Sequence, residues 1–439
     1  MTGVVPSLRV SPVRRLACGL DYARLPIGGK VAVVQRPLRG EIRALTGLRL
    51  VAALWVVAHH FWLFAPDHPW LRHLEPLRPL LLAGWLGVDL FFMLSGFVLA
   101  HNYVAVLGSR PTVRAAVAFY WARLSRIWPT WMVVLISVTA GLVVKQGLLG
   151  GSPASTHIDA PTMLRQVLLV QVWDQWDYSA TGPVGPGWSL SAEWLAYLLF
   201  PAVALVLYRL RGCRAAVLGA LALAAVTPFA YRCLALGTHD WRWSWLLRLV
   251  GCFLAGALVA LCVNRVRATT AVSLAATRAS VGAVGLVVLV VWWADAVSVD
   301  YGGVAVLAFP VLIAALALSE GGLARPLSAP VMVLGGRISF ALYLVHMGVF
   351  ESTWTLMDVV PGLAGESSVA TLLQVMVAVL PLPAAWVLWR VVEEPARRWM
   401  RRIGPQPPPA VRRETRGVTS FAPAGADATD AAPVRHAAA

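Results

Sequence analysis

About ten stretches, each close to the roughly 20 mainly apolar residues that a helix needs to cross a bilayer, follow one another along this chain. Nothing else in the sequence narrows the fold so far. Inside hydrocarbon every backbone N–H and C=O must be satisfied within the protein, which leaves helices or a closed barrel. Strict apolar/polar alternation is absent, and that argues against a barrel. The expected fold class is therefore all-α, a polytopic bundle with spans near 44–64, 79–103, 127–147, 188–208, 214–235, 244–264, 280–295, 301–319, 338–357 and 370–391. Composition agrees. Charged residues are 13% and hydrophobic residues 59% of the chain, against about 25% and about 45–50% in an ordinary soluble domain.

The formal net charge of +16 would point to nucleic acid in a soluble protein. Here the basic residues are nearly all arginines in short segments between apolar runs, the positive-inside pattern, so no nucleic-acid partner is expected. One set of connections carries Arg110, Arg114, Arg123 and Arg126, then Arg209, Arg211 and Arg214, then Arg265, Arg267 and Arg278, then Arg325 and Arg337. The alternate set carries Asp159, Asp174, Asp177, Asp240, Asp295, Asp300, Asp358 and Glu366. That asymmetry predicts both termini in the cytoplasm and an even number of spans. Residues 1–43 read as a basic cytoplasmic leader without the apolar core of a signal peptide. Residues 44–402 read as the membrane domain, and 403–439 as a Pro- and Ala-rich tail too polar to build a core. The cysteines show no metal-binding spacing, and no metal is expected.

Ionisable residues within spans are costly and mark functional sites. In the first span Arg49 and His60 lie eleven positions apart, which returns them to within roughly 20° of one helical face, about 16 Å apart along the axis. His59 points about 100° away. Asp89, in Gly87-Val88-Asp89-Leu90-Phe91-Phe92-Met93-Leu94-Ser95-Gly96-Phe97, needs a cationic partner from another helix. Arg123 and Arg126, one turn apart in the following inside loop, suit a phosphate-bearing ligand at the cytoplasmic surface. Ser189, Glu193 and Tyr197 share a face at i, i+4 spacing, as do Ser339, Tyr343 and His346 at i, i+4, i+7. Blander readings exist: snorkelling for Arg49, core packing for His60, anchoring for the arginine pair and hydrogen-bond networks for the two stripes.

These segments resemble the acyltransferase-3 family of integral membrane acyltransferases, which includes bacterial surface-sugar O-acetylases and macrolide O-acyltransferases. The matching pieces occur in the family's order. They are Leu45-Thr46-Gly47-Leu48-Arg49 through His60, the Asp89 and Ser95 segment, Arg123-Leu124-Ser125-Arg126-Ile127-Trp128-Pro129, Trp188-Ser189-Leu190-Ser191-Ala192-Glu193, Ile338-Ser339-Phe340-Ala341-Leu342-Tyr343-Leu344-Val345-His346, and Val392-Glu393-Glu394-Pro395. They span roughly residues 43–400. The continuation after Glu193 departs from the family's acidic-aromatic pattern, reading Trp194-Leu195-Ala196-Tyr197.

The resemblance implies a ten-helix domain that moves an acyl group, commonly acetyl, from cytoplasmic acyl-CoA to a hydroxyl of a carbohydrate or glycosylated acceptor. It implies a stand-alone enzyme in the bacterial cytoplasmic membrane with no permanently bound cofactor. His60 and Arg49 are the expected catalytic residues. Arg123, Arg126, Asp89, Ser95, Glu193, Tyr343 and His346 are the expected substrate-binding ones. A multi-pass transporter or flippase for a lipid-linked or antibiotic substrate is the rival reading, and it predicts substrate movement without thioester consumption.

Overall fold

A computed structural model describes residues 40–65, 69–109, 111–149, 158–177, 182–360, 363 and 367–405. Most of the leader and tail, with Arg110 and Glu366, lies outside the described residues. Among the described residues there is no strand, and ten helices are long and apolar enough to cross a membrane. We label them α1 (Arg43–Phe64), α2 (Leu86–Ser109), α3 (Val113–Leu149), α4 (Gly187–Leu210), α5 (Ala215–Leu236), α6 (Ser244–Val263), α7 (Thr270–Val297), α8 (Val299–Leu318), α9 (Pro330–Val359) and α10 (Ser368–Ile403).

The number of spans is as expected, and the ends differ where helices continue through polar residues. The largest difference is in α3, which starts at Val113 rather than near 127. Thr112 caps it, its Oγ1 accepting from the Ala115 N–H at 3.2 Å. Arg123 and Arg126 therefore stand inside a helix and not in a surface loop. Likewise α7 starts ten residues earlier than expected, where Thr269 Oγ1 accepts from the Val272 N–H at 3.2 Å. The first half of α8, Val299–Ala308, is wound as 3-10 turns, and Phe309–Leu318 continues as α-helix. Near its end α10 widens into one π-helical turn at Trp389–Glu393.

Close helix contact is set by small residues, as expected where apolar surface faces lipid and gives no hydrophobic drive. The broadest contact joins α2 and α6. A Cβ on Gly256 would stand 1.8 Å from the Met93 carbonyl oxygen, so only glycine fits there. The pairing of α1 with α9 has the same device, because a Cβ on Gly336 would stand 1.8 Å from the Thr46 carbonyl oxygen.

The helix starts of α1, α3 and α9 and the end of α10 share one end of the bundle. Arg337 pairs with Glu41 at 2.8 Å, and Arg43 donates to the Ser328 carbonyl at 2.9 Å. Trp121 donates to the Met400 carbonyl at 2.7 Å. The opposite end carries the Arg78–Asp295 pair at 2.6 Å and the His239–Asp300 pair.

Candidate active site

Arg49 sits two turns into α1 and faces a cavity of about 50 Å³ enclosed by α1, α2, α3, α4 and α9. Arg126, Ser189, Glu193, Tyr197, Ser339 and Tyr343 complete its polar wall, with Val88, Phe91 and Phe92 on the apolar side. The i, i+4 spacing in α4 and α9 is what puts these groups on one face. Tyr197 donates to Glu193 Oε1 at 2.6 Å, so the residue that departs from the family's pattern is itself the partner of the glutamate. Ser189 Oγ and Tyr343 Oη lie 2.6 Å apart and share the Pro186 carbonyl at 3.0 and 3.1 Å.

Arg123 stands one turn behind Arg126. Its guanidinium lies among the rings of Tyr103, Tyr197 and Phe119 at 5.4, 5.9 and 6.0 Å, and Nη2 donates to the Tyr103 hydroxyl at 3.2 Å. The two arginines therefore do not project side by side from a surface. One lines the cavity and the other is held in an aromatic cage beside it. The Nε atoms of Arg49 and Arg123 are both buried without a hydrogen-bond partner. Unsatisfied donors of this kind are costly unless a ligand accepts from them.

Glu393 was not singled out as a site residue from the sequence, although it falls in the last matching motif. It stands in the π-helical turn of α10, 4% exposed, and interacts electrostatically with Arg126, Arg397 and Arg49. Its Oε2 has no hydrogen-bond partner. The legible signal was a second acid directly before the Glu394 that pairs with Arg397 and Arg398. One-turn π-bulges of this kind recur at functional sites.

His60 does not border the cavity. Its Nδ1 lies 3.0 Å from Nε2 of His346, and its ring stacks on Phe64 at 6.0 Å. His346 is fully buried, with Nδ1 2.7 Å from the Tyr343 carbonyl oxygen. Tyr343 is thus the partition: its hydroxyl belongs to the cavity and its carbonyl to the histidine pair. His59 turns away, as its position on the helix predicts, and meets the Leu81 carbonyl at 2.9 Å.

Asp89 does not reach the cavity either. It is 0% exposed and held by Arg248, itself 1% exposed, through Nε–Oδ1 and Nη2–Oδ2 contacts of 3.0 Å each. This is the cationic partner that Asp89 required, and the pair bolts α2 to α6. Ser95 is buried beside the Tyr197 hydroxyl. A larger groove of about 550 Å³ runs along α3 and α9, lined mainly by residues such as Val138, Leu142, Val349 and Leu356. Its charged pair, Lys145–Glu351 at 3.1 Å, is partly exposed, so the groove lacks the buried polar convergence of the smaller cavity.

The geometry thus offers guanidinium donors for an anion in the cavity and, on the far side of Tyr343, an imidazole pair able to move a proton. Comparison with known proteins gives these groups a setting. The acyltransferase-domain family matches residues 42–390. The chain is 30% identical over 391 residues to the acyltransferase MdmB of Streptomyces mycarofaciens, covering 83% of this chain and 94% of that protein. It is 36% identical over 96 residues to protein 2 in the picA locus of Rhizobium radiobacter, covering 22% of this chain and 43% of that one. No solved structure matches. With the family match and the relative both running through the helices that build the cavity, the chain belongs to the acyltransferase-3 family of membrane acyltransferases.

Proposed function

We propose that this acyltransferase takes its acyl group, commonly acetyl, from cytoplasmic acyl-CoA and passes it to a hydroxyl of a carbohydrate or glycosylated acceptor. The observation that carries this reading is a cavity lined by Arg49 and Arg126 with Arg123 caged beside it, and buried Nε donors on Arg49 and Arg123 that lack a partner. The phosphates of CoA are acceptors of the right charge and geometry for guanidinium forks. The arginine-rich end of the bundle faces the cytoplasm, where the donor is, and both termini lie on that side.

In this reading Arg126 and Arg123 hold the phosphates and Arg49 orients the arm that carries the thioester. His60 takes the proton of the acceptor hydroxyl as that oxygen attacks the thioester carbonyl. The membrane is the bacterial cytoplasmic membrane, and the acceptor is an envelope polysaccharide, a glycolipid or a macrolide-type metabolite. A relative from a Streptomyces and an Ala-, Val- and Arg-rich composition favour an actinobacterial setting.

The test is CoA release from acetyl-CoA in membranes of the native host, with mass spectrometry of the acylated product. His60→Ala should abolish transfer at normal protein abundance, and Arg123→Ala with Arg126→Ala should raise the apparent KM for acyl-CoA. Full activity in the histidine variant removes it as the base. Substrate movement without CoA release makes the protein a transporter.

A further inference from the structure

We propose that His346 is a positioning residue that fixes which nitrogen of His60 is free to accept a proton, an inference resting on the reading of His60 as the base. The argument starts from an atom that can only accept. The Tyr343 carbonyl oxygen lies 2.7 Å from Nδ1 of His346, so that nitrogen must carry the hydrogen. No carboxylate is hydrogen-bonded to either ring among the described residues, and a neutral imidazole has one N–H. Nε2 of His346 is therefore bare and can only accept. Its neighbour at 3.0 Å, Nδ1 of His60, is accordingly the donor. The one hydrogen of His60 is then committed to Nδ1, which leaves a lone pair on Nε2; the Val56 carbonyl, one turn back in α1, also meets the ring.

A helix carbonyl thus dictates, through the ring of His346, the tautomer of His60. Packing keeps the relay rigid. His346 is fully buried between the rings of Tyr343 and Phe350 at 6.0 and 5.8 Å, and Phe64 stacks on His60. In the reaction the acceptor hydroxyl gives its proton to Nε2 of His60 while its oxygen forms a bond to the thioester carbonyl carbon. The C–S bond then breaks, and the departing CoA sulfur takes that proton back from Nε2. The Nδ1–H to His346 is kept throughout. His346 touches no reacting atom, and this differs from the substrate-binding role that the sequence assigned to it.

The test uses the full chain, labelled with 15N-histidine and held in lipid nanodiscs, with His60 and His346 signals assigned through H60Q and H346Q. Expected is a His60 imidazole protonated at Nδ1. In H346L that signal should move to the Nε2-protonated form that an isolated neutral imidazole favours. CoA release from acetyl-CoA in native-host membranes should fall by about 10²–10⁴-fold, the range for a misdirected general base, with KM for acetyl-CoA unchanged. H346Q, whose amide oxygen can accept from Nδ1–H, should recover at least part of that loss. The proposal is overturned by a wild-type His60 that carries its hydrogen on Nε2, a reading that stands even if H346L fails to fold. It is also overturned if H346L keeps both the Nδ1-protonated form and full turnover. An H60Q variant with full turnover sinks the base assignment itself, whatever tautomer His60 shows.

Discussion

Asp89→Asn separates the two roles that a buried aspartate can have in this molecule. The carboxylate makes two 3.0 Å contacts with Arg248, and both side chains are sealed from solvent. Attraction between unit charges centred about 4 Å apart, as in such a forked pair, is about 4 kcal/mol at an effective dielectric near 20, and breaking a buried pair by removing one charge costs about 3–5 kcal/mol. Arg248 keeps the Trp85 carbonyl at 3.2 Å and the ring faces of Trp85, Trp188 and Phe229 at 5.1, 5.3 and 5.8 Å. The lower figure therefore applies, about 3 kcal/mol, a factor on the order of 100 in the folding equilibrium. The assay is unfolding in mixed micelles titrated with SDS and followed by tryptophan fluorescence. The double replacement Asp89→Leu with Arg248→Met should regain all but about 1 kcal/mol, since an apolar pair needs no desolvation. Acyl transfer per folded Asp89→Asn molecule should stay near wild type. An Asp89→Asn protein that unfolds like wild type yet has lost transfer would refute the reasoning and return Asp89 to the substrate.

Arg123→Lys keeps the charge but not the planar fork among three rings, so KM for acyl-CoA should rise about tenfold with kcat unchanged, read from initial rates. Gly336→Val should force α1 away from α9 at a cost of about 3 kcal/mol or more in the same SDS titration, because its Cβ would stand 1.8 Å from the Thr46 carbonyl oxygen, a backbone atom that cannot swing aside. Glu393→Gln removes a negative charge beside Arg126 and Arg49 and should lower KM for acyl-CoA about fivefold, the effect of about 1 kcal/mol; an unchanged KM shows that the charge is not felt at the cavity.

The existence of ten spans was legible because the bilayer imposes a length and an apolarity that any segment must meet locally. The start of α3 was not. Arg123 reads as a loop residue until Tyr103 of α2 and Tyr197 of α4 close around it, and those rings arrive from distant sequence. The i, i+4 stripes of α4 and α9 were legible for the same local reason as the spans, but nothing local says that those stripes meet. Asp89 shows the limit most plainly. Its need for a cation was readable from burial chemistry, whereas Arg248 lies 159 positions away in an otherwise apolar helix and was never singled out. The stripe from Arg49 to His60 was right in direction. Yet only Arg49 borders the cavity, because Tyr343 steps between the two levels.

That partition gives the pairing of α1 with α9 a significance that neither helix has alone. The two helices start at the same end of the bundle and meet at two heights. Near the helix starts Arg49, Ser339 and Tyr343 line one cavity, and further along both helices His60 meets His346. Both meetings follow from one register, set where Gly336 lets the α9 backbone against Thr46. A slip of one residue turns a helical side chain by about 100° and moves it about 1.5 Å, enough to lose the 3.0 Å contact between the imidazoles and to take Tyr343 off the cavity wall. The arginine cavity and the histidine pair are therefore not independent features that selection had to place separately. They are two consequences of a single close helix contact, with the backbone of Tyr343 as the rigid element between them.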